Sequence, residues 1–290
     1  MREGVVGPDR GTAEYQESPP PTQLKLQAAA GVFWSGAGSV LTQAISFLGS
    51  IVLAHLLSPG DYGLVGMARI PIGAIALFRE LGTSSAIIQR KIVTQRLLNS
   101  IFWGNVAFGV ITFLAAQAAA PAAASFFHAP PIVPIIRVLA VGFLFSSIAS
   151  VPTALLTRDM AFRRLIVLEV IAAAASTAAA IGAATLGAGA WSLVVSSLVS
   201  AFLVVALVWR LLPWRPAREA RWGDLRSVAN FSLNLSAFNV VNYVSRNADN
   251  AIVGHYLGTS ELGFYQMAYN LMLYAVQNIS QIILRVLSLA

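Results

Sequence analysis

The chain of 290 residues contains no cysteine, which excludes disulfides, thiolate metal sites and cysteine nucleophiles together. Its three histidines, His55, His128 and His255, lie far apart in sequence and lack the local spacing of a metal site. Lysine occurs only at Lys25 and Lys91, and neither residue follows a glycine-rich phosphate-binding loop. We therefore predict no metal, no cofactor and no Walker-type ATPase site.

Charge is also scarce, since 11% of the residues are charged and 57% are hydrophobic. A soluble domain carries about 25% charged residues, so most of this surface is expected to contact lipid rather than water. The net charge of +7 does not indicate nucleic-acid binding, because the arginines lie in short clusters between apolar runs rather than on one helix face.

Apolar runs of about 20 residues or more, the length that one membrane span needs, recur along the chain. They are continuous and too long to be the alternating strands of a β-barrel. We predict an all-α fold, a polytopic transmembrane helical bundle of about eight spans. The predicted spans are Ala28–Leu57, Tyr62–Ile88, Leu98–Ala120, Ile135–Thr157, Leu165–Leu186, Gly189–Leu212, Ser227–Leu257 and Leu262–Ala290.

Basic residues occur on alternate connectors between these spans. Of the 19 basic residues, 14 lie in the N-terminal tail or in and beside the second, fourth and sixth connectors, whereas the other connectors carry none. Cytoplasmic loops are enriched in lysine and arginine, so this alternation predicts a cytoplasmic N-terminus. The first 27 residues are polar and contain four prolines, which predicts a disordered cytoplasmic tail.

An internal repeat relates two of the predicted outer turns. HLLSPGDYGLVGMA begins at His55 and HYLGTSELGFYQMA begins at His255, with five identities in 14 aligned positions. A chance resemblance between two short hairpins is the alternative to duplication. Six predicted helices separate the copies, so both enter the membrane with the same polarity, as in transporters built from parallel repeats.

The repeat predicts the domain organisation of the chain. The last apolar run ends at Ala290 without a polar tail, which predicts a fragment or a truncated gene product. The predicted parts are a disordered tail (1–27), an N-terminal six-helix lobe (28–212), a basic cytoplasmic linker (213–226) and the first two helices of an incomplete second lobe (227–290).

Charged side chains inside spans are candidate functional residues, because each costs about 2.5–3.5 kcal/mol on insertion scales. In predicted helix seven, NVVNYVSRNADNAIVG places Asn239, Asn242, Arg246, Asp249 and Asn250 on one polar stripe. The i, i+3 spacing of Arg246 and Asp249 suits an ion pair. Two interpretations stay open: the stripe lines a cavity, or the ion pair holds the helix against a neighbour.

Three further arginines inside predicted spans are candidates. Arg69 lies close before Pro71 in predicted helix two, and a proline within a helix removes a backbone hydrogen bond and favours a kink. Arg79 lies further along that helix beside Glu80, and Arg285 lies in predicted helix eight. The small-residue runs GVFWSGAGS and AAAASTAAAIGAA predict close helix packing rather than a site.

Three segments of the chain carry a resemblance to a known family: GVFWSGAGSVLTQAISFLGSIVLAHLLSPGDYGLVGMA, ELGTSSAIIQRK and RNADNAIVGHYLGTSELGFYQMAYNLM. They resemble the polysaccharide exporter or flippase family, the oligosaccharide-lipid branch of the multidrug/oligosaccharidyl-lipid/polysaccharide exporter superfamily. The resemblance implies two six-helix lobes around a central cavity in the cell inner membrane. It implies export of undecaprenyl-diphosphate-linked glycan units by alternating access, with membrane lipid and polysaccharide polymerase machinery as further partners.

A lipid-linked diphosphate is anionic and suits an arginine-lined cavity, because guanidinium groups bind phosphate oxygens through paired donors. Asparagine and serine side chains are then expected to contact sugar hydroxyls, and Asp249 to tune Arg246 or take part in ion coupling. The predicted substrate-binding residues are Arg69, Arg79, Asn242, Arg246, Asp249 and Arg285.

Three other functions stay open. A cation-coupled drug exporter of the same superfamily needs acidic cavity residues, whereas arginines in the spans outnumber acids here by four to three. A glycan polymerase or ligase generally needs large outer loops, but the predicted outer connectors have about 4 to 14 residues. An inactive truncated remnant would have no transport role. We therefore predict neither an enzyme nor a nucleic-acid-binding protein.

Overall fold

The computed structural model describes residues 21–77, 87, 93–217, 222–270 and 272, and every regular element within these residues is α-helical. This confirms the predicted all-α fold class. A further helical stretch covers residues 259–270. The helices are α1 (Pro21–Leu56), α2 (Pro59–Leu77), α3 (Gln95–Phe126), α4 (Ile132–Leu139), α5 (Val141–Arg158), α6 (Phe162–Thr185), α7 (Trp191–Leu211) and α8 (Trp222–Leu257).

Among the described residues, five helical stretches are long and apolar enough to cross a bilayer. They are Gly38–Leu56 of α1, the whole of α3, the combined stretch Ile132–Arg158 of α4 and α5, and the whole of α6 and α7. α2 and α8 do not meet this criterion, and α8 carries the polar stripe. The chain is a multi-pass membrane protein, and the count of eight spans stays a prediction.

Three boundaries differ from the predicted ones. α1 begins at Pro21, within the predicted tail, since proline is tolerated in the first turn of a helix. α3 continues through Pro121 to Phe126, because the alanine-rich residues around this proline favour helix and only one backbone hydrogen bond is lost. α8 begins at Trp222, within the predicted linker.

Small residues let α1 pack closely along α6. A Cβ atom at Gly38 would overlap the side chain of Ile166, and one at Gly49 would overlap Thr177. α6 in turn packs along α7, and α5 lies between α3 and α7. These contacts confirm that the two small-residue runs serve helix packing.

The helices define two ends of the bundle. At the hairpin end, α1 is followed by α2, α3 by α4, α6 by α7 and α8 by residues 259–270. At the basic end lie the starts of α3 and α6 and the ends of α5 and α7, together with their arginines. The described arginines at the basic end are Arg96, Arg158, Arg163, Arg164, Arg210 and Arg215.

A capping box fixes the start of α2 at the hairpin end. The backbone N–H of Ser58 donates to Oδ2 of Asp61 (2.9 Å), and the backbone N–H of Asp61 donates to Oγ of Ser58 (3.3 Å). The other carboxylate oxygen, Oδ1 of Asp61, accepts from the backbone N–H of Ala190 (2.8 Å), directly before α7. One side chain therefore joins the starts of α2 and α7.

The residues after α7 pack on the first turns of α3 at the basic end. Nε1 of Trp214 donates to Oε1 of Gln95 (2.9 Å), and the backbone N–H of Ala217 donates to Oδ1 of Asn99 (3.1 Å). Segment 212–217 is non-helical, and its residues 213–217 belong to the predicted linker. The first part of that linker is thus held on α3 as far as Ala217.

Candidate functional site

The described candidate residues lie on α2 and α8, which pack against each other. The hydroxyl of Tyr243 in α8 donates a hydrogen bond to the carbonyl of Ile70 (2.8 Å). The Tyr243 ring lies against Gly73, where a Cβ atom would overlap the phenol group. Ile70 directly precedes Pro71, which has no N–H to donate to the carbonyl of Met67. Tyr243 therefore supplies a donor beside the turn that the proline disrupts.

Arg69 and Arg246 lie at a similar depth from the hairpin end. Arg69 comes ten residues after the start of α2 at Pro59, and Arg246 comes eleven residues before the end of α8 at Leu257. At a rise of about 1.5 Å per residue, these distances are roughly 15 Å and 17 Å. In a helix that spans a bilayer with an apolar core of about 30 Å, this distance from the end corresponds to the centre of the core.

Both arginine side chains are exposed, and both flank the contact between Tyr243 and Ile70. Nε of Arg246 donates to Oδ1 of Asn242 (3.2 Å), whose side chain is also exposed. Arg69 makes no hydrogen bond or ion pair with any described residue. Within the described part of the chain, most donors of the two guanidinium groups therefore have no hydrogen-bond partner.

Asp249 is held by hydrogen bonds rather than by an arginine. Its Oδ2 accepts from the hydroxyl of Tyr265 (2.7 Å), and its Oδ1 accepts from the backbone N–H of Asn250 (2.8 Å). Asn250 is buried, and its Oδ1 accepts from Nε2 of Gln266 (3.4 Å). Within the described residues, no ion pair joins Arg246 to Asp249.

The predicted polar stripe therefore has two parts. Asn242 and Arg246 are exposed, whereas Asp249 and Asn250 hold α8 against residues 259–270. The stripe therefore contacts a neighbouring helical stretch through hydrogen bonds rather than through the predicted ion pair, and its role in lining a cavity stays a prediction. Within the described residues, no group of three His, Asp or Glu side chains is arranged to hold a metal ion.

Two predicted site residues have no described position, and three residues that were not predicted contact the helices of the site. Arg79 and Arg285 lie outside the described residues. Tyr243, Tyr265 and Gln266 were missed by sequence reasoning, although they bond to the α2 turn and to the polar stripe. Their own polarity was visible, but their partners lie on other helices, and no spacing within one helix indicates such contacts.

At the hairpin end the two copies of the internal repeat contact each other reciprocally. Gly63 lies against the main-chain carbonyl of Thr259, and its counterpart Gly263 lies against the main-chain carbonyl of Pro59, the counterpart of Thr259. A Cβ atom at either glycine would overlap that carbonyl. Reciprocal contacts of this kind characterise an interface around a two-fold axis.

Two further contacts join residues to their own counterparts. A Cβ atom at Gly60 would lie 3.6 Å from Oγ of Ser260, and one at Gly66 would overlap the side chain of Gln266. A residue meets its own counterpart only where a two-fold axis passes between them. The repeat copies are therefore arranged around an approximate two-fold axis at the hairpin end.

A second contact at the hairpin end joins α8 to α3. Nδ1 of His255 lies 2.6 Å from the carbonyl oxygen of Phe126, and because a carbonyl only accepts, the imidazole N–H is the donor. The imidazole also stacks on the Phe126 ring, with 4.6 Å between the ring centroids. A Cβ atom at Gly254 would lie 3.1 Å from the Phe127 ring.

Comparison with known proteins shows the family to which the sequence is similar. A model of the polysaccharide biosynthesis protein family matches residues 52–289. The chain is 23% identical over 266 residues to the lipopolysaccharide biosynthesis protein WzxC of Escherichia coli (strain K12), covering 91% of this chain and 54% of that protein. It is 26% identical over 267 residues to the teichuronic acid biosynthesis protein TuaB of Bacillus subtilis (strain 168), covering 91% and 55%.

A third relative is the succinoglycan biosynthesis transport protein ExoT of Rhizobium meliloti (strain 1021). It is 24% identical over 248 residues, which cover 86% of this chain and 50% of that protein. The chain thus spans about half the length of the curated relatives that it matches. No solved structure matches it.

Proposed function

Because this chain belongs to the polysaccharide biosynthesis protein family, we propose that it exports lipid-linked glycan units across the inner membrane by alternating access. The family membership confirms the resemblance predicted from the three sequence segments. Export agrees with the name of the relative ExoT, a succinoglycan biosynthesis transport protein. The proposed cargo is an oligosaccharide or polysaccharide repeat unit on an undecaprenyl diphosphate carrier, used in cell-surface polysaccharide biosynthesis.

The observation that carries this proposal is the pair of exposed arginines on the packed helices α2 and α8, which we place at mid-depth in the membrane. An arginine facing lipid at this depth costs about 2.5–3.5 kcal/mol on insertion scales, so Arg69 and Arg246 are expected to face a path that is polar. Neither forms an ion pair with a described residue. Two cationic groups with open donors suit an anionic diphosphate, and neighbouring Asn242 suits a sugar hydroxyl.

The remaining site residues keep distinct places in this proposal. Arg79 and Arg285 are proposed to extend the cationic path along α2 and beyond residue 272. Asp249, being hydrogen-bonded to Tyr265, positions α8 and sets the electrostatic potential near Arg246. We propose that residues 28–212 form one lobe and 227–290 begin the second, joined by linker 213–226.

The basic end is proposed to be cytoplasmic, which places the N-terminus in the cytoplasm and the hairpin end outside. The described arginines of the connectors lie at the basic end, as the positive-inside rule requires of a cytoplasmic side. Membrane lipid and polysaccharide polymerase machinery are the further proposed partners. We propose no enzymatic activity and no nucleic-acid partner.

The substitution Arg246→Ala tests the proposal. A charge-assisted hydrogen bond contributes about 1.5–3 kcal/mol, so we expect export of the lipid-linked glycan to fall about tenfold or more. Arg246→Lys keeps the charge but loses the paired donors, and we expect an intermediate loss. Export is measured as glycan accumulation outside the membrane, and immunoblotting of membranes measures the amount of protein.

The matched control is Arg137→Ala, which removes an exposed arginine of α4 outside the site. The backbone carbonyl of Arg137, which accepts from Gln117 (3.0 Å), is retained in this variant. Normal glycan export by Arg246→Ala would overturn the proposed role of the stripe. Loss of drug resistance with normal glycan export would favour the cation-coupled drug exporter.

A further inference from the structure

We propose that Gly63 and Gly263 form a main-chain latch that closes the glycan path at the hairpin end and must separate in each export cycle. The latch consists of two contacts: Gly63 against the carbonyl of Thr259, and Gly263 against the carbonyl of Pro59. This inference rests on the proposed transport function, and its test has a readout that does not depend on the transported molecule.

The latch lies between the arginines and the hairpin end. Gly63 and Arg69 are on the same helix, and the six residue steps from one to the other correspond to about 9 Å along α2. Thr259 comes two residues after the end of α8, the helix that carries Arg246. Closure by these contacts therefore separates the mid-depth arginines from solvent at that end.

The two contacts are coupled by their geometry. They are related by the approximate two-fold axis that passes near Gly60 and Ser260, so a rotation that separates one copy of the repeat from the other separates both contacts. A transport path between two repeats opens when the repeats move relative to each other, so it is closed by contacts that both repeats form together.

Glycine is required because each partner is main chain. A side chain can rotate away from an added methyl group, but the carbonyls of Pro59 and Thr259 move only with their helices. An alanine or valine at Gly63 is therefore expected to push the two repeat copies apart. The effect is opening of the hairpin end rather than a local adjustment.

A disulfide across the axis measures closure directly. The chain has no cysteine, so the double variant Gly60→Cys/Ser260→Cys introduces the only two thiols. A Cβ atom at Gly60 would lie 3.6 Å from Oγ of Ser260. Cysteine side chains at these two positions are therefore close enough to form a disulfide. We expect an oxidant to cross-link most of this double variant and thereby to stop export. A reductant is expected to restore export. The export activity of each single variant is expected to be unaffected by either reagent.

The latch glycines are then tested in this background. Adding Gly63→Val is expected to lower the cross-linked fraction severalfold, and Gly63→Ala to lower it less. The matched control is Gly182→Val, because a Cβ atom at Gly182 of α6 meets nothing within 4 Å. If Gly63→Val does not reach the membrane, Gly63→Ala gives the measurement.

The outcomes separate the latch from simple helix packing. Reduced cross-linking of Gly63→Ala at normal membrane abundance supports the latch, and cross-linking equal to that of Gly182→Val overturns it. Undiminished export by the fully cross-linked protein also overturns it. If the latch exists but the proposed function is wrong, Gly63 variants still change the cross-linked fraction. In that case Arg246→Ala leaves glycan export unchanged.

Discussion

At the scale of single residues, Asp61 and its repeat counterpart Glu261 have different environments. Asp61 completes the capping box of α2 and accepts from the backbone of Ala190. Glu261 is exposed and forms no hydrogen bond or ion pair with a described residue. The repeat preserves an acid at the start of both helices, but only the first copy uses it to join two helices.

We expect Asp61→Ala to lower the free energy of unfolding by about 1–2 kcal/mol, since the variant loses a helix cap and a second backbone hydrogen bond. The control Glu261→Ala is expected to change it by less than about 0.5 kcal/mol. Thermal unfolding of the detergent-solubilised protein measures both. Equal midpoints for the two variants would show that the Asp61 contacts contribute nothing to stability.

Single residues also show how far sequence predicts the site. Arg69 and Arg246 stood out because charges inside apolar helices are costly, and the structure places both on helices that pack against each other. The ion pair suggested by the spacing of Arg246 and Asp249 is absent from the described residues. Tyr265, on the next helical stretch, is the partner of Asp249 instead, and only tertiary packing brings it there.

At the scale of helices, the contact between α2 and α8 depends on one aromatic side chain. Tyr243 contacts α2 at Gly73 and at the carbonyl that precedes Pro71. Backbone groups freed near a proline inside a membrane helix need partners from neighbouring helices. The carbonyl freed by Pro71 is that of Met67, so the Tyr243 hydroxyl does not replace the lost bond but joins α2 to α8, the two helices that carry the arginines.

We expect Tyr243→Phe to lower the free energy of unfolding by about 0.5–1.5 kcal/mol, the usual contribution of one hydrogen bond. Tyr256→Phe is the control on the same helix, because Tyr256 is 76% exposed. The unfolding midpoint in detergent distinguishes the two variants. If the midpoint of Tyr243→Phe matches that of the control, the Tyr243 hydroxyl does not stabilise the contact between α2 and α8.

Helix positions were largely predictable, and the exceptions have physical causes. α6 and α7 lie close to the predicted spans Leu165–Leu186 and Gly189–Leu212, since their apolar runs end at glycine-containing or polar turns. The predicted connector at Pro121 was wrong, because the surrounding alanines continue α3. Apolar periodicity indicates that a span exists but not how far helix extends beyond the lipid core.

At the scale of the whole molecule, the two ends differ in charge and in contacts. The basic end carries the connector arginines and the segment 212–217 packed on α3. The hairpin end carries the main-chain contacts between repeat copies. These differences predict which end faces the cytoplasm, and the absence of cysteine makes that prediction simple to test.

We expect a membrane-impermeant maleimide to label Leu186→Cys in intact cells, because Leu186 is 88% exposed at the hairpin end. Met160→Cys, at a position that is 43% exposed at the basic end, is expected to react only after the membrane is permeabilised. Mass spectrometry of the purified chain quantifies the label. The reverse pattern would place the N-terminus outside and invert the proposed direction of export.

Segment 212–217 is attached to α3, and the length of the chain between this segment and α8 limits how far α3 and α8 can separate. Ala217 is bonded to Asn99, and α8 starts at Trp222, so five residue steps connect them. A fully extended chain covers at most about 3.6 Å per residue, which allows these points to separate by no more than about 18 Å. The separation of α3 and the start of α8 at the basic end therefore has an upper bound for as long as Ala217 stays hydrogen-bonded to Asn99.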